Sequence, residues 1–182
     1  MSQDINFNHN SGAINILNEA SIPRATILGV LIEIIASGEH EPMNLARIPA
    51  EIENKIKFND LIFYRWVVDE YISNSLLVDG SMTSLNQIIL NGSTKLKRQM
   101  KHFYLEALAK YSIGTKPFDL NKLKINSDNV IKEVIALAKK FVTASNNLKD
   151  GYFVEDIDHG IALIVSYSII ECIVLENPND HN

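Results

Sequence analysis

The residues best suited to chemistry lie close together near the start of the last predicted helix: Glu155, Asp156, Asp158 and His159. Carboxylates and an imidazole at this density are typical of a metal site or of a general acid–base pair. Successive positions on a helix point in different directions, so these side chains cannot converge on one ion without groups from elsewhere. Carboxylates also suit the positive end of a helix. We therefore interpret the group as the solvated start of a helix and predict no catalytic residue and no metal ligand there.

A second charged group, on an earlier predicted helix, could contact phosphates. It consists of Lys95, Lys97, Arg98, Lys101 and His102. Apolar residues alternate with these cations at helical spacing, which puts the cations on the solvated face of the helix. The chain as a whole is acidic, with 17 Lys and Arg against 22 Asp and Glu and a net charge of −5. This balance disfavours a generally basic nucleic-acid binder, and binding through the face from Lys95 to Lys101 is kept as the alternative function.

Motifs that build enzyme and cofactor sites are absent from the sequence. It has no Gly-rich phosphate loop, no nucleophile elbow and no His-Glu-x-x-His pair. The single cysteine, Cys172, excludes a disulfide framework and a Cys-rich zinc site, and it fits a reducing cytoplasm. Within its apolar surroundings it is expected to be a small buried hydrophobe. We predict a cytoplasmic, non-enzymatic protein that needs no cofactor.

The elements that must position these residues are helices. A chain of 182 residues, 46% of them apolar, can form one domain with its own core. Apolar residues at helical spacing predict an all-α fold, a single bundle of six or seven helices over residues 23–182. Turn and cap signals predict helix breaks at Gly38, Asp79-Gly80 and Asn91-Gly92, and helix starts at Pro49, Asn59, Asn126-Ser127-Asp128 and Val154.

The run from Gly160 to Leu175 is apolar on nearly every side. Its 16 residues are interrupted by Glu171, and a bilayer needs about 20. A helix of this kind is typical of the centre of a bundle, so we predict no membrane span. Because an unpaired buried carboxylate is costly, we expect Glu171 to have a basic or hydroxyl partner, with Lys55 or a tyrosine preferred.

Residues 1–22 form a separate polar segment with two short alternating patterns. Ile5 and Phe7 alternate with polar residues, as do Ile14 and Ile16, and Asn10-Ser11-Gly12 between them is typical of a turn. The pattern predicts a short, β-like, hairpin-forming arm, with a disordered tail as the alternative. Since an isolated hairpin is only marginally stable in water, we expect the arm to pair with a second copy of the chain or with a partner protein.

The only tryptophan, Trp66, follows Arg65 and precedes a buried pair of valines. One interpretation places Trp66 at the edge of the core. The other makes Arg65 and Trp66 an exposed interface anchor, because both residue types are favoured at binding hot spots.

Two stretches together resemble a known family. The first begins at Pro49 and contains Lys55-Ile-Lys-Phe-Asn59, which opens a long helix with Tyr64 and Glu70-Tyr71. It extends to Lys97 and Tyr104. The second contains Asn126-Ser127-Asp128, Ser145-Asn146-Asn147-Leu148 and Glu155-Asp156-Ile157, and it ends in Ile170-Glu171-Cys172-Ile173-Val174-Leu175-Glu176-Asn177-Pro178. In order and spacing they are similar to the C-terminal domain of effector proteins of bacterial ABC-three-component systems, the Lamassu-like anti-phage defence group.

The resemblance implies a helical module that ties an effector to an SMC-like ABC ATPase. On the matching positions it implies fold-determining roles, with partner contacts second, for Lys55, Asn59, Tyr64, Tyr71, Glu171, Cys172, Glu176, Asn177 and Pro178. In the family a nuclease or another effector usually precedes this module. Here only residues 1–22 precede the matching region, so we expect a free-standing module or an effector that is encoded separately.

The prediction for the arm is tested by deleting residues 1–20. Helicity measured by circular dichroism should stay unchanged, because the helical domain has its own caps and core. The mass measured by light scattering should fall, or co-purification with a partner should be lost. A truncated chain that keeps both its mass and its partner would instead place the interface on the helices, around Arg65 and Trp66.

Overall fold

The computed structural model describes residues 24–38, 50–148 and 151–181, and the arm predicted from Ile5, Phe7, Ile14 and Ile16 lies outside these ranges. Within them the chain forms six α-helices, a short 3-10 turn and no β-strand. The helices are α1 (Ile27–Ser37), α2 (Ala50–Phe58), α3 (Arg65–Ile88), α4 (Gly92–Lys110), α5 (Leu120–Thr143) and α6 (Val154–Ile170), followed by the turn Pro178–His181. The predicted all-α bundle is confirmed.

The helix with the longest unbroken run of buried residues, α6, lies at the centre of the bundle. Every residue from Gly160 to Ile169 is buried, and the helix contacts α1, α3, α4 and α5. The other helices bury one stripe each against this core, as amphipathic helices do. Within the described ranges, no helix combines the length and the apolar character needed to cross a membrane.

Several helix ends follow the sequence signals. Thr26 Oγ1 accepts a hydrogen bond from Gly29 N at 3.0 Å, which caps the start of α1, and α1 ends at Gly38 as predicted. At the start of α6, the Asp156 carboxylate accepts from Phe153 N at 2.9 Å. One acidic residue of the group at 155–159 therefore caps a helix, which is the role that the dipole favours.

Two predicted boundaries are wrong. α3 continues through Asp79-Gly80, since Val78, Met82 and Leu85 on the same face are buried and their burial outweighs the cost of a helical glycine. The helix is instead interrupted at Asn74, where φ is −126° and the side-chain amide donates to Glu70 O at 2.8 Å. The second error concerns Asn126-Ser127-Asp128, which lies inside α5, because Asp119 caps that helix by accepting from Lys122 N at 3.0 Å.

The start of α3 also differs from the sequence prediction, and α2 and α6 end in the same motif. The helix predicted from Asn59 begins only at Arg65, and the last helix ends at Ile170. Both α2 and α6 end in a left-handed residue that is not glycine, Asp60 with φ 51° and Cys172 with φ 56°. After Asp60, the amide of Leu61 donates to the carbonyl of Ile56, and after Cys172, the amide of Ile173 donates to the carbonyl of Ser168. Each helix end is therefore a Schellman motif.

α1 and α6 cross at their closest approach where Gly160 faces Ile32. An ideal Cβ on Gly160 would lie 2.9 Å from Ile32 Cγ1 and 3.0 Å from its Cγ2. Both residues are buried in the core. The absent side chain therefore sets the distance between the two helices.

Two glycine substitutions should have opposite effects on the free energy of unfolding. Gly160→Ala should lower it by roughly 1–3 kcal/mol, because the methyl group overpacks the crossing with Ile32. Gly80→Ala should raise it by up to about 1 kcal/mol, because a helical alanine is favoured over glycine and a Cβ at Gly80 meets nothing within 4 Å. Urea unfolding of both variants measures the difference, and equal effects of the two changes would contradict the close crossing.

Candidate functional site

Residues from both resembling stretches meet at the C-terminal end of α6. Lys55 and Asn59 come from α2 and the turn after it, and Tyr104 comes from α4. They contact Ile169 and Glu176, which belong to the last turn of α6 and to the segment after it. We call Lys55, Asn59, Tyr104 and Glu176 the α6-end cluster.

Lys55 is a lysine inside the core. Its side chain is 5% exposed, and its Nζ donates to Ile169 O and contacts the thiol of Cys172. The C-terminal carbonyls of a helix carry partial negative charge, so the ammonium suits this position. Burial lowers the pKa of Lys55, an effect that the hydrogen bond to Cys172 partly opposes. The expected pairing of Lys55 with Glu171 is wrong, because the partner that Lys55 reaches is a backbone carbonyl.

Asn59 joins α2 to the segment after α6. Its amide nitrogen donates to Lys55 O and to Glu176 O, both at 2.9 Å, and its Oδ1 accepts from Glu176 N at 3.0 Å. Asn59 is fully buried, so each bond satisfies a group that water does not reach. Beside it, Tyr104 donates its hydroxyl to Glu176 Oε1 at 3.1 Å, and burial strongly raises the pKa of Tyr104.

Glu171 has a basic partner, as expected, but the partner is Lys97 at 2.7 Å. The two side chains are 41% and 39% exposed, because Glu171 lies at the C-cap of α6 rather than inside it. A pair this exposed contributes little to stability, so removing Glu171 should cost little. The hydrogen bond to Glu171 raises the pKa of Lys97.

Cys172 occupies a position that differs from its predicted burial. It is exposed, which contradicts the prediction of a small buried hydrophobe. It lies beyond the helix in a left-handed conformation, so the apolar run of α6 does not enclose it. Tyr71 is partly buried against the core, and desolvation raises the pKa of its hydroxyl.

A cavity of about 430 Å³ opens beside Lys55. It lies between α2, the end of α6 and the turn Pro178–His181, and both Asn177 and Pro178 line it. Three of the resembling positions near the C-terminus, Cys172, Asn177 and Pro178, therefore border a space next to a buried ammonium. We call this space the α6-end cavity.

The turn between α2 and α3 and the residues around it carry exposed apolar side chains. Ile62, Phe63 and Trp66 are 67%, 79% and 49% exposed, and Ile125 on α5 is 81% exposed. Ile125 lies one helical turn before Asp128, whose carboxylate contacts the backbone of the same turn. We call Ile62, Phe63, Trp66 and Ile125 the turn patch.

Hydrogen bonds hold the backbone of the turn patch in place. Asp128 accepts from Tyr64 N at 2.7 Å and from Ile62 N at 3.3 Å, and Ser127 Oγ donates to Asp60 O at 2.9 Å. Arg65 adds a bidentate pair with Glu53 at 2.7 and 3.2 Å, which lowers the pKa of that carboxyl group. The sequence singled out Arg65 and Trp66 but missed Ile62 and Phe63, because an exposed apolar residue in a turn has no periodic signal.

The cations of α4 do not act as one set. Lys97 is paired with Glu171, and Lys101 Nζ lies 4.9 Å from the centre of the Tyr104 ring. Lys95 and Arg98 are exposed, and neither has an acidic partner among the described residues. The basic face predicted for nucleic-acid contact thus offers fewer available cations than the sequence suggested.

The acidic group at the start of α6 does not converge on one point, because its side chains have separate partners. Asp156 caps the helix, Asp158 pairs with Lys139 of α5, and His159 lies 3.7 Å from Glu70 of α3. In the part of the chain that the structure describes, no three His, Cys, Asp or Glu side chains are placed to hold a metal ion.

Comparisons with known proteins return no matching family model, no matching curated protein and no matching solved structure. Function must therefore be argued from the geometry and from the sequence resemblance.

Replacing the buried amide of Asn59 tests the α6-end cluster. Asn59→Ala should lower the free energy of unfolding by roughly 1–3 kcal/mol, because it leaves buried backbone groups of Glu176 without partners. Asn126→Ala is the matched control, since the Asn126 amide donates only to Lys122 O in its own helix, at 2.9 Å. Chemical denaturation measures both, and an equal, small effect would mean that the segment after α6 is held by other contacts.

Proposed function

We propose that this chain is a non-catalytic protein-interaction module and that the turn patch is its docking surface. The observation that carries the proposal is the exposure of Ile62 and Phe63 in the turn before α3 and of Trp66 in the first turn of that helix. Adjacent exposed apolar side chains of this size are typical of a surface that another protein covers. Aromatic residues are also enriched at the centre of such interfaces.

The rigidity of the turn supports the same function. Asp128 and Ser127 of α5 fix its backbone, and Arg65 is held by Glu53 of α2. A partner that binds here does not have to order a flexible loop, so less of the binding free energy is lost. Catalysis would need convergent titratable groups, and none of the described features places such groups at this patch.

The partner that we propose is an SMC-like ABC ATPase of a bacterial ABC-three-component, Lamassu-like defence system, which this module would link to an effector subunit in the cytoplasm. The support is the sequence resemblance over two stretches. The resembling residues Lys55, Asn59, Tyr104 and Glu176 lie together in the fold, which suits their role as fold determinants. Three of the four turn-patch residues, Ile62, Phe63 and Trp66, lie within the first stretch, between Asn59 and Tyr71. The arm at residues 1–22 would add a second contact or join two copies of the chain.

A second candidate function is nucleic-acid binding through α4. The observation that favours it is the exposure of Lys95 and Arg98 without an acidic partner in the described ranges. The net charge of −5 opposes it. Binding that depends on phosphate contacts falls steeply with salt, whereas docking on an apolar patch does not.

The proposed docking is tested by co-expressing the chain with an SMC-like ABC ATPase of a Lamassu-like system, the partner that we propose. A double variant, Phe63→Ser with Trp66→Ser, should reduce the amount of ATPase that co-purifies by at least about tenfold, since aromatic hot-spot residues contribute roughly 2 kcal/mol or more each. The change should leave the fold intact, because both side chains are exposed.

The matched control changes exposed apolar residues elsewhere. Ile88 and Leu90, at the junction of α3 and α4, are 65% and 81% exposed. Ile88→Ser with Leu90→Ser should leave co-purification unchanged. If the ATPase is lost equally from both double variants, or from neither, the turn patch is not the docking surface.

A further inference from the structure

The α6-end cavity has the size of a small-molecule site. Its volume is about 430 Å³, inside the range of about 300–1,000 Å³ that is usual for such pockets. The cavity is separate from the turn patch, because none of the patch residues lines it. What it could bind follows from the groups that face it.

The most unusual of these groups is the Lys55 ammonium. An ammonium has three N–H donors, and the contacts of Nζ in the protein are Ile169 O and the Cys172 thiol. Neither partner carries a full charge, and no carboxylate of the described residues lies within salt-bridge distance of Lys55. Buried charges in proteins are normally paired, so this site offers one donor and one uncompensated positive charge.

The electrostatic surroundings leave that charge available. Glu176 attracts Lys55 from beyond pairing distance, and the weaker repulsion by Lys101 offsets part of that attraction. The carboxylate among the lining residues is that of Glu51, which is exposed. Water and salt screen an exposed carboxylate far more than a buried one.

The remaining lining residues divide into two kinds. Asn54, Asn177 and Asn179 supply carboxamides, and Ile52, Ile170 and Pro178 supply apolar surface. A ligand that fits both kinds has an anionic end at Lys55 and an aliphatic body against the isoleucines. The carboxamides can bond to polar groups along that body.

We propose that the α6-end cavity binds a carboxylate carried on an aliphatic body, with Lys55 Nζ donating to the carboxylate. The source of the carboxylate is either a free small acid or the C-terminal residue of a polypeptide, and both present the same chemistry. Binding would neutralise the buried charge and connect α2 to the end of α6 through the ligand.

The test measures binding of three pairs of probes to the full chain by isothermal titration calorimetry. The pairs are N-acetyl-leucine with N-acetyl-leucinamide, hexanoate with hexanamide, and a pentapeptide ending in leucine with the same peptide amidated. Each acid that binds should bind about tenfold or more tightly than its amide, because a charge-assisted hydrogen bond is stronger than a neutral one. Tighter binding of the pentapeptide than of hexanoate identifies a polypeptide terminus, and the reverse order identifies a free acid. If no acid binds, or if acids and amides bind equally, the proposal is wrong.

Two variants and a control locate the binding. Lys55→Met removes the charge and should abolish the preference for acids over amides. Asn54→Trp, at an exposed position of the lining, should block the cavity without disturbing the core, whereas Asn129→Trp, at an exposed position on α5, should bind like the unmodified chain. Circular dichroism establishes that each variant folds. A folded Asn54→Trp that keeps full acid binding would overturn the assignment even if Lys55→Met fails to fold.

Discussion

The constraint on which the rest of the structure depends is the burial of the last turn of α6. The final carbonyls of any helix lack partners inside the helix, and in α6 the residues up to Ile169 are buried away from water. The Schellman turn at Cys172 satisfies the carbonyls of Ser168 and Ile169, and the Lys55 ammonium adds a bond to Ile169. Lys55 thus supplies a second donor to a buried carbonyl from inside the core. Asn59, one turn after it, fastens the chain beyond α6 to the end of α2.

The class of the fold could be predicted from the sequence because it rests on periodic apolar residues, and these dominate the packing of all six helices. The ends of helices were harder to predict, since they depend on distant partners. Asn126-Ser127-Asp128 has the composition of a helix start, yet Ser127 and Asp128 bond to the turn before α3 from within α5. Asp60 and Cys172 end their helices in a left-handed conformation that usually marks glycine.

The candidate sites show the same limit. That Glu171 would have a cation could be foreseen from the cost of an unpaired carboxylate, but the identity of that cation depends on where α4 passes α6. The two stretches that resemble the defence family are far apart in sequence, yet several of their residues meet at the end of α6. No pattern in the sequence indicated the cavity beside them. Ile62 and Phe63 escaped notice because exposure is a property of the assembled surface and leaves no periodic trace.

The position of Trp66 gives the molecule a built-in optical reporter. It is the only tryptophan of the chain, it is 49% exposed, and its ring lies 6.3 Å from that of Tyr64 within the turn patch. Indole emission moves to shorter wavelength when water is removed from the ring, so a protein that covers the patch changes the colour of the intrinsic fluorescence. A ligand in the α6-end cavity touches none of the patch residues, so occupancy of the patch is visible by itself, without any attached dye.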